Sequence, residues 1–521
     1  MKYNLLSKIM LGTATCLVAA TGCKKLEDFG NTNVNPNGSL APITAALLTS
    51  AEVSLGGLIA GTGTGGVRAG LYVQYFSETQ YTEASLYAEP KVDFNAWYTG
   101  PMQDLQVIIN QNTDAATKVT AGASGSNGNQ IAIATILRSY YIWTVTDRWG
   151  DVPYSEASGG AGNFTPTYDK QMDIYTKILA DLKSSLTMFD AGVKMKGDII
   201  YGGDQVKWKK LANTLRMLIS LRMSKVYPNP GQLAATEFAA AEADVNGSLE
   251  SAANNFTLPF PGGSYKNTWY GIYESRSDYG YSKTLSDILN NMNDNRKDAF
   301  GGTGSPFPYG LKREQATTLP TNYARVLSSA NNAENAPLNV VNAASSLLAR
   351  AEAVERGWIG TTRGTAKSLY DKGITESFAQ WGLSGAATYI ANGSANYTTG
   401  TGGGNNIGSN SFNSVVGQNA VTNTAIDRIF LQRYLAHYPD GIQGWSEWRR
   451  SCAVGQPSPA TAAAGMPKLI PTAFATNSNG GIPRRFVYGT SEYSLNPTKL
   501  QEAVGRLTGG DVMTSRVWWD L

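Results

Sequence analysis

Histidine is almost missing: His437, in "RYLAHYPDG", is the only one in 521 residues. A serine or cysteine triad would have to recruit that one imidazole, and no neighbouring motif recommends the role. It falls in the last turn of an expected helix, where an N–H donor or a cation satisfies free carbonyls. No HExxH occurs, no G-x-S-x-G elbow is paired with a second base, and no G-K-[ST] supplies a phosphate cradle. "GTGTGG" (61–66) does satisfy G-x-G-x-x-G, but "AEVSLGGLIA" before it reads as helix or loop. A dinucleotide fingerprint needs an apolar strand there. A carboxylate pair for glycoside hydrolysis stays open, because its partners converge only in space and 40 acidic residues are available.

Cysteine is scarce too, at Cys16, Cys23 and Cys452. Net charge is small, with 43 basic against 40 acidic residues and no basic stripe, which excludes nucleic acid as a partner. The apolar run "IMLGTATCLVAA" is too short for a permanent membrane span, and with the basic "MKYNLLSK" before it reads as a secretory leader. The leader ends in "ATGC", which resembles the lipobox of bacterial lipoproteins. That resemblance implies cleavage after Gly22 and acylation of Cys23. Lys2, Lys8 and Cys16 would leave with the leader, so neither an internal disulfide nor a cysteine metal site is expected. Several acyl chains on Cys23 would hold the protein at a membrane, since each buried methylene contributes about 0.8 kcal/mol. "KKLEDFGNTNVNPNGS" after it is polar and turn-rich, a solvated tether over 23–38. Its Glu27-Asp28 pair resembles the acidic export signal of Bacteroidetes surface lipoproteins.

What the chain has in quantity is aromatic residues (27 Tyr, 11 Trp) and helical spacing. "VKWKKLANTLRMLISLRMSKV" puts Trp208, Leu211, Leu215 and Leu218 on one stripe, with Asp204 as N-cap. "IAIATILRSYYIWTVTD" is apolar nearly all round, so a deeply buried helix is predicted. "SSLLARAEAVERGWIG" and "TTRGTAKSLYDKGITESFAQWG" form a helical hairpin. Ala349, Ala351 and Ala353 allow close approach, Gly357 turns, and Tyr370 and Phe378 supply bulk. Residues 117–130 and about 384–424, rich in Gly, Ser, Asn and Thr, read as long irregular loops. One domain over 39–521 is expected.

"TDRWGDVPYSEA" (146–157) gathers two aspartates, an arginine, a tryptophan and a tyrosine. It follows the buried helix directly, with Gly150 placed to end it and Pro153 forbidding continuation. Arg148 can bond the terminal carbonyls or pair with Asp147 or Asp151, while Trp149 and Tyr154 cover the helix end. The stretch reads as a structural corner.

"DRWGDVPYSEA" also resembles the signature of the SusD/RagB family of outer-membrane lipoproteins. Further matching blocks follow in order. They are "WKKLANTLRMLISLRMS" (208–224), "SKTLSDILNNMNDNRKDAF" (282–300, with Asn295 where the family usually has Pro), "LARAEAVERGWIG", "LYDKGITESFAQWG", "RYLAHYPDGIQGWSEWRRS" and "IPRRFVYGTSEYSLN". The resemblance implies a mainly α fold of tetratricopeptide-like helical hairpins carrying a large irregular, loop-rich face. It implies a nutrient-binding lipoprotein at the outer surface of the outer membrane, without catalytic activity or cofactor. Its partner would be a SusC-like TonB-dependent transporter, and its ligand an oligosaccharide or a peptide.

Sugars stack C–H faces on Trp and Tyr and hydrogen-bond Asn, Asp and Arg at the rim. On that ground "KNTWYGIYESRSDYGY" (266–281) is the first candidate ligand segment, through Trp269, Tyr270 and Tyr273 beside Asn267 and Arg276. "TQYTEASLYAEPKVDFNAWYTG" (79–100) is the second, through Tyr81 and Tyr87, with Trp97 and Tyr98 expected to start a helix and pack inward. Arg449-Arg450 reads as a structural salt-bridge element. The competing readings are a helical-repeat scaffold that binds no small ligand, a peptide-binding RagB-like protein, and a surface glycosidase.

Overall fold

The structure is a computed structural model that describes residues 42–90, 92–158, 162–392, 395–398, 425–451, 469, 471–478 and 481–521. The leader, the tether, Cys23, Cys452 and the loop stretch 399–424 lie outside the described residues.

The helices that carry the architecture are α1 (Thr44–Ala60), α2 (Gly66–Tyr72), α3 (Gln103–Thr113), α4 (Asn127–Trp149), α5 (Gln171–Met188), α6 (Gln205–Arg222), α7 (Leu233–Glu242), α8 (Ala343–Glu355), α9 (Ala366–Ala379), α10 (Ala425–His437) and α11 (Gly441–Ser451). Consecutive helices pack as pairs: α4 on α5, α6 on α7, α8 on α9 and α10 on α11. The fold is thus mainly α and built of helical hairpins. In α6, Trp208, Leu211, Leu215 and Leu218 are buried as their spacing predicts, and Asp204 accepts from the N–H groups of Val206 (2.9 Å) and Lys207 (3.2 Å). Ala349, Ala351 and Ala353 of α8 are fully buried, with Tyr370 and Phe378 of α9. A methyl group on Gly373 of α9 would come within 2.7 Å of Leu348, so the α8–α9 pair depends on small residues at its contact. Among the described residues no helix is long and apolar enough to cross a membrane.

Among the described residues six short strands, β1 (Phe76–Glu78), β2 (Val152–Pro153), β3 (Tyr168–Asp169), β4 (Phe256–Leu258), β5 (Tyr279–Tyr281) and β6 (Leu338–Val341), form three antiparallel ribbons: β1–β5, β2–β3 and β4–β6. The first of them organises the candidate site.

The stretch 117–130 is not the long irregular loop expected of its composition. Lys118–Ala121 is a helical turn, Gly122–Ser124 continues it as 3-10 helix, and α4 begins at Asn127. Gly125, at φ +133°, and the extended Ser126 break the path. The buried Gln130 amide bridges that break by donating to Ala121 O (2.8 Å) and Gly125 O (2.7 Å), a tertiary tie that composition does not reveal. Likewise Ala386–Ala391 is helical within 384–424, held by Tyr389 packing on Phe378. "GTGTGG" follows helix α1, not a strand, and Thr64 gives its carbonyl to Arg148.

The 146–157 stretch is a corner whose groups are engaged within the protein. Gly150, at φ +90°, donates its N–H to Thr146 O (2.7 Å) and ends α4. Asp147 is fully buried, accepts from Trp519 Nε1 (2.8 Å) and the Tyr175 hydroxyl, and pairs with Arg222 (3.5 Å), not with Arg148. Arg148 donates to Thr144 O (2.9 Å) and lies over the Trp149 ring at 4.9 Å. Asp151 accepts from the N–H of Gln171 (2.8 Å) and joins β2 to the start of α5, the second helix of the same hairpin. The 282–300 block has a comparable role. Arg296 pairs with Asp294 (2.5 Å) and reaches Ser377 (2.9 Å) and Gln432 (2.7 Å), tying this block to α9 and α10.

Candidate functional site

Ribbon β1–β5 aligns Glu78 with Tyr279. Beyond that pair, Thr79 N donates to Asp278 O (2.9 Å) and Thr79 Oγ1 to Ser277 O (2.6 Å). The loop leaving β1 and the loop entering β5 are therefore held side by side, which brings Tyr81 to Arg276. The Arg276 guanidinium carbon is 4.7 Å from the Tyr81 ring centroid, and Arg313, from a single helical turn (Arg313–Ala316), is also 4.7 Å away. Tyr81 is 46% exposed, and Arg276 also pairs with Asp278 at 2.6 Å. The loop after β1 is closed by Glu78, which accepts from Ser85 N (2.8 Å) and donates its own N–H to Ser85 Oγ (3.3 Å). Burial pushes the Glu78 carboxyl up to about 7, against the lowering effect of Ser85 and Arg68.

Beside this rim opens a cleft of about 690 Å³ lined by Tyr270, Asp298, the glycine-rich turn 301–304, Tyr323, Arg325 and Asn332. Tyr323 joins the two regions: its ring borders the cleft, and its hydroxyl contacts Thr79 Oγ1 (2.9 Å) and Ser277 O. Tyr270 and Tyr323 are half-buried. Asn332 is 5% exposed, and its Oδ1 has no hydrogen-bond partner among the described residues, which carries a free-energy cost. A second cavity of about 590 Å³ lies at the 146–157 corner beside Met172 and Trp518.

The structure divides the seven expected contact residues. Tyr81, Arg276 and Tyr270 lie on this face. Trp269 does not: it is fully buried, with its ring 5.2 Å from Phe76 of β1. Asn267 beneath it is an N-cap, accepting from Trp269 N (2.7 Å) and donating to Ala336 O (2.7 Å), so its amide is used up inside the protein. Tyr273 is 6% exposed, donates to Tyr279 O (2.9 Å), accepts from Val326 N (3.0 Å) and carries Arg325 over its ring at 4.8 Å. Tyr87 is buried at φ +60° against Tyr72. As expected of them, Trp97 is buried and stacks on Tyr141 (6.2 Å), and Tyr98 donates to Pro153 O (2.5 Å). Sequence reasoning missed Arg313, Tyr323, Arg325 and Asn332. Their segment shows no periodicity and carries no motif that marks it as a site.

His437 is buried in the last turn of α10, and burial, reinforced by Arg433, drives its pKa down to about 3. It is therefore neutral, not the helix-terminal cation that its position allowed. Among the described residues no three metal-ligating side chains converge.

Residues 36–489 match the SusD-like family model described as "Starch-binding associating with outer membrane". The chain belongs to the SusD-like family. Solved structures agree on the fold of this SusD-like chain. A "chitin-binding protein" is 27% identical with a TM-score of 0.71, covering 92% of this chain and 100% of its own. A chitin-binding SusD homolog from Flavobacterium johnsoniae is 24% identical with a TM-score of 0.70, covering 92% of this chain and 96% of its own. A SusD-like protein from Bacteroides thetaiotaomicron is 21% identical with a TM-score of 0.71, covering 92% and 99%. No curated protein matches the sequence.

Proposed function

We propose that this protein is a non-catalytic lipoprotein, anchored through Cys23 at the outer face of the outer membrane. It binds oligosaccharides in the cleft between Tyr270 and Tyr323 and passes them to a SusC-like TonB-dependent transporter. The observation that carries the binding role is the cleft: half-exposed tyrosine rings, a charged rim and a buried unpartnered amide oxygen converge on about 690 Å³, room for a short saccharide. Family membership, and two similar proteins that are chitin-binding, support a saccharide as cargo. The lipobox-like "ATGC" supports the anchor.

Isothermal titration of the purified protein with neutral and acidic oligosaccharides and with peptides tests this. One saccharide class should bind, and Tyr270→Ala should weaken it by about tenfold, near 1.4 kcal/mol. The melting temperature should stay unchanged, since Tyr270 is half-exposed. Peptide binding without saccharide binding would reassign the cargo, and hydrolysed saccharide in the titration cell would contradict a non-catalytic role.

A further inference from the structure

The charges of the loop-rich face are unevenly committed. Lys266 pairs with Glu274, Arg276 with Asp278, Lys297 with Asp298 and Lys312 with Glu314. Arg313 and Arg325 are different. Both are exposed, and among the described residues neither guanidinium has an ion pair or a hydrogen bond. Each is instead laid over a tyrosine ring, Arg313 on Tyr81 at 4.7 Å and Arg325 on Tyr273 at 4.8 Å. The Tyr273 platform is fixed, because its hydroxyl is held by both Tyr279 O and Val326 N.

A guanidinium held against an aromatic ring keeps its N–H groups free for a ligand and is partly positioned beforehand. That is the arrangement that takes two oxygens of a planar or tetrahedral oxyanion. With two guanidiniums against it, the Tyr81 ring is occupied by cations and is a poor platform for the C–H face of a neutral pyranose. Resting on the saccharide-binding reading above, we infer that Arg313 and Arg325 select an acidic oligosaccharide, one bearing carboxylate or sulfate groups, over a neutral one. Tyr81 and Tyr273 act as the platforms that position the two guanidiniums, with Arg325 at the cleft wall and Arg313 on the adjoining rim.

The test is titration with oligogalacturonides (carboxylate only), carrageenan oligosaccharides (sulfate only), neutral chito- and malto-oligosaccharides, and polyglutamate. One of the two acidic saccharides should bind most tightly. Arg313→Ala and Arg325→Ala should each weaken it about tenfold, and their combination about a hundredfold. Arg→Lys at either position should recover only part, because the bidentate edge is lost. Raising salt from about 0.05 to 0.5 M should weaken the native protein more than the double variant. Both side chains are exposed, so an unchanged melting temperature confirms that the variants are folded. A neutral oligosaccharide bound equally well by native protein and double variant would overturn the acidic selection and leave the saccharide-binding reading standing. Binding of no saccharide of any charge, or of polyglutamate alone, would overturn both.

Discussion

Glu447→Gln should destabilise the protein by about 3–5 kcal/mol, the cost of stranding a buried charge. Glu447 of α11 is fully buried and holds Arg433 of α10 in a two-point contact (2.9 and 3.0 Å). It also meets Arg450, which reaches Glu352 of α8 through two further bonds of 2.7 Å. Glu352 in turn takes Arg356 at 2.7 Å. Arg450 thus belongs to a salt-bridge element, as its sequence block suggests. Arg449 beside it does not, and is instead stacked between Trp445 (3.7 Å) and Trp519 (4.6 Å). A glutamine would leave Arg450 with Glu352 but Arg433 without a counter-charge in a site closed to water.

The pH dependence of this network follows from the same contacts. Burial raises the Glu447 and Glu352 pKa values, but their arginines outweigh it, Arg433 and Arg450 for Glu447 and Arg450 and Arg356 for Glu352, and hold both carboxyls below the usual range. A folded-state pKa below the unfolded one contributes stability above the unfolded value of about 4.3, and that stability is lost as pH falls through the folded values. Urea unfolding at pH 7 and pH 3 should therefore show a wide gap between native protein and Glu447→Gln at neutral pH and a narrower one in acid. A loss below about 1 kcal/mol at pH 7 would mean that the network does not bind α8, α10 and α11 together.

Trp269→Ala should cost about 3–5 kcal/mol by opening a cavity under β1, whereas Tyr270→Ala, one residue on, should stay within about 0.5 kcal/mol. Adjacent aromatics with opposite roles mark the limit of what the sequence discloses at this site. The helix that carries them, Thr268–Ile272, is one turn long, too short for periodicity to say which ring faces inward. The decision is made by Asn267 capping it and by Phe76 meeting Trp269 from a strand almost two hundred residues earlier. Urea unfolding of the two variants separates these roles. Equal stability for both would contradict the packing described for Trp269.

Elsewhere local pattern was enough. The α6 stripe with its Asp204 cap, the close-packed alanines of α8 and the glycine stop after α4 could all be read directly, because caps, periods and small-residue contacts are properties of neighbouring residues. The inward place of Tyr87 is not legible in its neighbours, because its positive φ and its position behind Tyr72 depend on the path of the whole loop. Arg313 and Arg325 gain their meaning only from tyrosines more than fifty residues away.

The most direct test of the central claim is a crystal structure of the protein with the saccharide it binds best. The sugar should lie between Tyr270 and Tyr323, with a donor on Asn332 Oδ1 and its charged groups against Arg325. A saccharide seated instead in the cavity beside Trp518, with that cleft empty, would contradict it.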